Sequence, residues 1–198
     1  MTEITLSQLY RDLESRIADL ENRFIRTVPE GEMISDDVID AARAFRVLSH
    51  SEIEGYLEDR VLEVAEIALT TWDKERKPTV PLVALVGFFP MEKKKFDVSH
   101  RIHFAVAEYK KSVRNNNNGI RQEDIYKLLY PVGFLDQDID ELWLAEIDNF
   151  GQKRGDTAHS KAKQAQYTVH PNDEVRAVGT ILQGLKEIDR QLTGFLSC

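Results

Sequence analysis

The sequence predicts an all-α fold: a bundle of about four long helices with one or two short ones. Three observations predict it. Apolar residues recur at steps of three and four in successive segments along the chain. Polar caps and Pro or Gly stops bound those segments. There is no internal repeat and no long low-complexity segment.

The first segment carries Leu6, Leu9, Leu13, Ile17, Leu20 and Phe24 on one stripe. Thr5 with Gln8 reads as its capping box, and Val28-Pro29-Glu30-Gly31 as its stop. Such a seam serves either the chain's own core or an intermolecular coiled coil. The second helix opens near Ser35 or Asp36 and runs to about Trp72, either continuous or with one break near Asp40. Its later half is apolar over most of its circumference, from Ile53 through Leu57, Val61 and Ala65 to Trp72. Glu52, Asp59, Glu63 and Glu66 form a narrow water-facing strip. Pro78 to Pro90 reads equally as a buried helix or an apolar strand, which periodicity does not separate.

Asp97 or Ser99 caps a third helix, whose inner face is Val98, Ile102, Ala105, Tyr109 and Val113. Asn115 to Gly119 is a turn, because Asn and Gly tolerate positive φ. A short helix with Ile120, Ile125, Leu128 and Leu129 is stopped by Pro131 and Gly133. Asp138 with Glu141 starts the next helix, striped by Ile139, Leu142, Trp143, Ile147 and Phe150. The last opens at Pro171-Asn172 and carries Val175, Val178, Leu182, Leu185, Ile188 and Leu192. Residues 1–34 are set apart as an N-terminal helical extension and residues 35–198 as the main helical domain.

The chain has 198 residues and a net charge of −8, with 42 % hydrophobic residues. That composition excludes a disordered tail and suffices for a substantial core without staples. The acidic balance argues against coating nucleic acid over the whole surface, but leaves room for a local basic site. Val80 to Pro90 is too short to span a bilayer. The first residues lack the basic and apolar regions of a signal peptide. The single cysteine, Cys198, permits no intramolecular disulfide, which fits a cytoplasmic location.

The chemistry-bearing stretch is F-G-Q-K-R-G-D-T-A-H-S-K-A-K, Phe150 to Lys163. Continuing the stripe from Ile147 and Phe150 leads to Arg154, so an arginine projects from an apolar face near a helix end. His159 follows five residues later, and Gly155 lets the chain bend between them or end the helix. Between Gly151 and Gln166 the cations are Lys153, Arg154, Lys161 and Lys163, against the one acid Asp156. Such a local cluster can hold a phosphodiester. Arginine offers phosphate a rigid fork of donors, and histidine moves a proton near neutral pH. Together they suit RNA cleavage by the neighbouring 2′-hydroxyl, with no metal or other cofactor required. The same residues also suit a plain helix C-terminus whose cations complement the dipole.

Glu54 lies opposite the acidic strip of the second helix, among Leu57, Val61 and Ala65. A shielded carboxylate needs a partner. Either it orients Arg154 or His159, or it pairs locally with His50 or Arg46. His100 and His103, with Glu108, have the spacing of an incomplete metal site and read as surface histidines. His170, before a proline, reads as loop. Trp72, Trp143, Phe88 and Phe89 read as core rather than as platforms for bases. Ile120 to Phe134 has too few cations for a DNA-reading helix-turn-helix.

R-G-D-T-A-H, Arg154 to His159, matches the R-x4-6-H signature of the HEPN superfamily. R-V-L-S-H-S-E-I-E-G-Y-L-E (Arg46 to Glu58), I-Y-K-L-L-Y-P-V-G-F (Ile125 to Phe134) and the Trp143 helix resemble its RiboL-PSP-HEPN branch. The resemblance runs from about Ala41 to the C-terminus. It implies a HEPN-type up-and-down bundle that forms a homodimer, with two Arg/His motifs at one cleft on the dimer axis. It implies metal-independent endoribonuclease activity in toxin-antitoxin or phage-defence settings, with an antitoxin or regulatory protein as a further partner. Arg154 would then steady the scissile phosphate and His159 would move the proton. Where many members carry Asn, Asp or His after the arginine, this chain has Gly155, with Asp156 one later. Members with degraded motifs only bind RNA or a partner protein. A further reading, a structural interaction protein using the Leu6 to Phe24 seam, needs no cleft at all.

Overall fold

The computed structural model describes residues 5–26, 28–29, 33–91, 97–159 and 169–196, and for residues 153–159 the description is of the helical backbone. Among the described residues every regular element is helical: α1 Gln8–Phe24, α2 Asp36–Glu75, α3 Val80–Phe88, α4 Val98–Asn116, α5 Gln122–Leu129, α6 Glu141–His159 and α7 Pro171–Phe195. Two single 3-10 turns, Tyr130–Val132 and Asp136–Asp138, join α5 to α6. No helix among them is long and apolar enough to cross a membrane.

The frame is α2. At 40 residues it is about 60 Å long, and of the two possibilities at Asp40 it takes the continuous one. Its buried face alternates apolar residues with Arg46, His50 and Arg60. α1 packs along it and also touches α7. Leu13, Ile17 and Leu20 are buried there, so the α1 seam serves the chain's own core and not an intermolecular coil. Tyr10, outside the expected stripe, is buried too and donates from its hydroxyl to the Leu182 carbonyl at 2.9 Å. The cap of α1 is Ser7 rather than Thr5: Ser7 Oγ accepts from the Tyr10 N–H at 3.1 Å.

The Pro78 to Pro90 ambiguity resolves as α3, with Pro81 in its first turn, where a missing N–H costs nothing. Only Pro81, Leu82 and Leu85 of α3 are buried. Phe88 is 54 % exposed and Val98, at the first turn of α4, is 61 % exposed, so both leave the expected core. Gly133 closes the turn after α5 with φ 106, and a Cβ there would meet Val80 Cγ1 at 2.6 Å.

The start of α6 differs from expectation by one polar residue. Asp140, not Asp138, accepts the Trp143 N–H at 2.7 Å, while Asp138 accepts the Leu135 N–H in the preceding turn. Leu142 is 82 % exposed and Leu144 is buried in its stead. Trp143 is core, lies against Gly184 and donates to the Ile181 carbonyl at 3.1 Å. His170 is the cap of α7, its ring nitrogen accepting from the Asn172 N–H.

Two contacts set helix directions. Arg46 meets Glu174, and fourteen residues further along α2 Arg60 meets Asp189, so α2 and α7 run parallel. Trp143 reaches Ile181, whereas Phe150 lines a groove with Glu174, so α6 runs antiparallel to both.

Candidate functional site

The residues that the sequence singles out centre on the end of α6. The helix continues through Gly155 to His159, so the possible bend there is not taken. A glycine inside a helix costs about 1 kcal/mol relative to alanine. Arg154 stands one turn beyond Phe150 on the same row of α6, the row that holds Ile147 in the core. His159 is five residues on, and that spacing puts the two positions about 140° apart around one helix. Lys153 and Asp156 are on the same backbone. Lys161 and Lys163 lie outside the described residues.

Because α6 runs against α2, its Arg154 turn falls toward the end of α2 marked by Arg46. There Arg46 Nε and one terminal nitrogen clasp the two oxygens of Glu174 at 2.7 and 2.5 Å, with both side chains buried. One turn further along α2 is His50, buried, its ring stacked on Phe150 with centroids 6.3 Å apart and an interplanar angle of 19°. One turn further still is Glu54, whose Oε2 lies 3.6 Å from His50 Nδ1. The pairing of Glu54 with His50 is thus present, and Arg46 has gone to α7 instead. Arg46, His50 and Glu54 form one i+4 row facing α6 and α7.

Beside this row, between α6 and α7, is a groove of about 470 Å³ lined by Glu146, Asn149, Phe150, Asp173, Glu174 and Arg176, among others. Among the described residues its lining carries three carboxylates, Glu174 already clasped by Arg46, against one guanidinium, a poor seat for a polyanion. The cations of the Gly151 to Gln166 stretch are the better match to phosphate.

The other candidates resolve locally. His100 Nδ1 lies 3.0 Å from Asp97 and His103 Nε2 lies 3.1 Å from Asp73, both at the surface. Hydrogen bonds from His100, its backbone N–H first and its ring second, hold the Asp97 carboxyl below the usual range. Glu108 is 4.0 Å from Lys111. Among the described residues no three His, Cys, Asp or Glu side chains gather to hold a metal. Trp72 is half-buried, under the Arg76 guanidinium at 5.5 Å, and Phe89 packs on Tyr109.

Sequence reasoning named His50 only as a local partner for Glu54. Its signal was visible: a histidine four residues before a shielded glutamate, on the buried side of a helix. Glu174 was not singled out, since it looks like an ordinary first-turn acid of α7.

No curated protein and no solved structure matches the chain. The family model described as RiboL-PSP-HEPN matches residues 10–194. That span starts within α1, well before the Ala41 limit set by the motifs alone, and includes every element around the Arg154 turn. With an all-helical fold and a match over nearly its whole length, the chain belongs to the RiboL-PSP-HEPN family.

Proposed function

We propose that this protein is a metal-independent endoribonuclease that cleaves RNA by attack of a 2′-hydroxyl, at a site shared by two copies of the chain. The single observation that carries the reading is the position of R-G-D-T-A-H at the end of α6, in a chain of this family. Arg154 binds the phosphate and stabilises the charge that grows on its oxygens. His159 takes the 2′-hydroxyl proton from one side, and the second copy's histidine gives a proton to the departing 5′-oxygen. The products are a 2′,3′-cyclic phosphate and a 5′-hydroxyl. Asp156 and Glu54 orient these groups, and Lys153, Lys161 and Lys163 hold flanking phosphates.

The 140° spread between Arg154 and His159 on one continuous helix supports a shared site. A single α6 does not present both positions on one face, whereas two copies related by a two-fold axis bring an arginine from one beside a histidine from the other. The setting that goes with this reading is a cytoplasmic toxin or phage-defence nuclease held in check by an antitoxin or regulatory protein. Gly155 favours a second reading, a module that binds RNA or a partner protein without cleaving, because the residue that many members carry after the arginine is missing.

The test incubates purified protein with total cellular RNA in EDTA and maps the product ends. Cyclic phosphate ends that vanish in His159→Ala and Arg154→Ala support the nuclease. RNA binding with no turnover selects the second reading. A dimer-disrupting variant that keeps full activity would overturn the shared site.

A further inference from the structure

We infer that His50 is a positioning residue for this cleavage, acting through α6 on Arg154; the inference rests on the nuclease reading above and adds to it a group outside the R-G-D-T-A-H motif. The imidazole is 1 % exposed. Burying its ring nitrogens costs desolvation that a phenylalanine or leucine would not incur. Of the neighbouring buried positions of α2, Phe45, Ile53 and Leu57 are apolar, while Ser49 is a small hydroxyl and Arg46 is held by Glu174. Packing alone therefore does not account for a histidine.

Two contacts say what the imidazole adds. Its face lies on Phe150, 6.3 Å between centroids and 19° from parallel. Its Nδ1 lies 3.6 Å from Glu54 Oε2, a carboxylate whose side chain is 20 % exposed. The chain of support therefore runs from Glu54 to His50 to Phe150, and Arg154 is the next residue along that row of α6. In this reading the Glu54 contact, at ion-pair rather than hydrogen-bond distance, and the Phe150 stack bound the imidazole on two sides, and the ring in turn bears on α6 one turn before Arg154. On the other flank Arg46 is held to Glu174 through two hydrogen bonds. Cleavage is sensitive to such placement, since an error of about 1 Å at a reacting group can cost about a hundredfold in rate.

The experiment uses the full chain, an RNA oligonucleotide and EDTA, and measures kcat, KM and Tm for three variants. His50→Phe keeps the ring stack and removes both nitrogens. His50→Asn keeps a nitrogen near the place of Nδ1 and gives up the stack. His50→Ala gives up both. The expected result is that His50→Phe melts at or above wild type, with kcat reduced at least about tenfold and KM within about twofold. His50→Asn should keep more activity than His50→Ala at similar Tm. A wild-type kcat in His50→Phe overturns the inference, as does a change confined to KM. Should His50→Phe not fold, equal activity in the Asn and Ala variants overturns it. Wild-type protein that cleaves no RNA removes the nuclease reading and this inference together. Wild-type cleavage with an unimpaired His50→Phe removes the inference alone.

Discussion

Arg46 of α2 and Glu174 of α7 meet fork to fork inside the bundle, with two nitrogens on two oxygens at 2.7 and 2.5 Å. Both side chains are almost out of water. The pair joins the two longest helices at the level toward which the Arg154 turn of α6 is directed. It is a geometric registry pin between parallel helices, and its energetics follow from burial.

Removing one partner strands the other charge. Arg46→Met or Glu174→Gln should therefore lower unfolding stability by about 3–5 kcal/mol, whereas the joint replacement by two apolar residues should recover most of that loss. Urea denaturation of the two single variants and the double variant reads this directly. Equal losses in singles and double would mean that the pair contributes attraction beyond the relief of stranded charge.

Asp189 is fully buried and accepts from four donors: the Ser7 N–H at 2.7 Å, Ser7 Oγ at 2.6 Å, Tyr56 Oη at 3.1 Å and Arg60 Nε at 2.7 Å. One carboxylate thus ties the start of α1 to α2 and α7. Ser7→Ala should cost about 1 kcal/mol and loosen α1 selectively. Asp189→Ala, which leaves Arg60 buried without its main partner, should cost about 3–5 kcal/mol. Amide exchange by mass spectrometry would show Ser7→Ala speeding exchange in α1 before α2 or α7. Uniform acceleration throughout the chain would refute the local anchor.

Three buried tyrosines predict how stability depends on alkaline pH. Burial, then the Asp189 charge, raises Tyr56 well above its ordinary value of 10.0. Burial also raises Tyr109, and burial followed by Glu14 raises Tyr10. The folded state holds these protons while the unfolded chain releases them above about pH 10. Their stabilisation is complete below that pH and is lost as pH rises toward the folded values. Tm measured from pH 8 to 11.5 should fall with increasing steepness at the upper end, and Tyr56→Phe should flatten the slope. An unchanged slope in Tyr56→Phe would mean that its hydroxyl does not carry the effect.

Much of the helix pattern was legible in the sequence. The spacing of Leu13, Ile17 and Leu20, of Ile102, Tyr109 and Val113, and of Val178, Leu185 and Ile188 each names a buried stripe. Period is a local property, so it survives without knowledge of the fold. The misreadings fall where a third body decides. Leu142 fits the α6 stripe by spacing, yet the core begins at Trp143 and Leu144, because α7 lies on one flank of that row. Thr5 and Ser7 are both plausible caps, and Asp189, far along the chain, selects Ser7. For the site, the Arg/His motif and Glu54 were visible as residue types at a spacing. That His50 stacks on Phe150 was not, since a helix sequence does not say which neighbour crosses it.

By itself the sequence determined the helical class, the cationic stretch within an acidic chain, and the spacing of Arg154 and His159, with four residues between them. Periodicity, charge and spacing are written along one dimension. The tertiary structure decided that α2 is one unbroken rod, that α6 runs against it, and that the Arg46, His50 and Glu54 row is split between α7 and α6. Those outcomes depend on how three helices pack and in which direction each runs, which side-chain volume and buried charge settle only when the chain is folded.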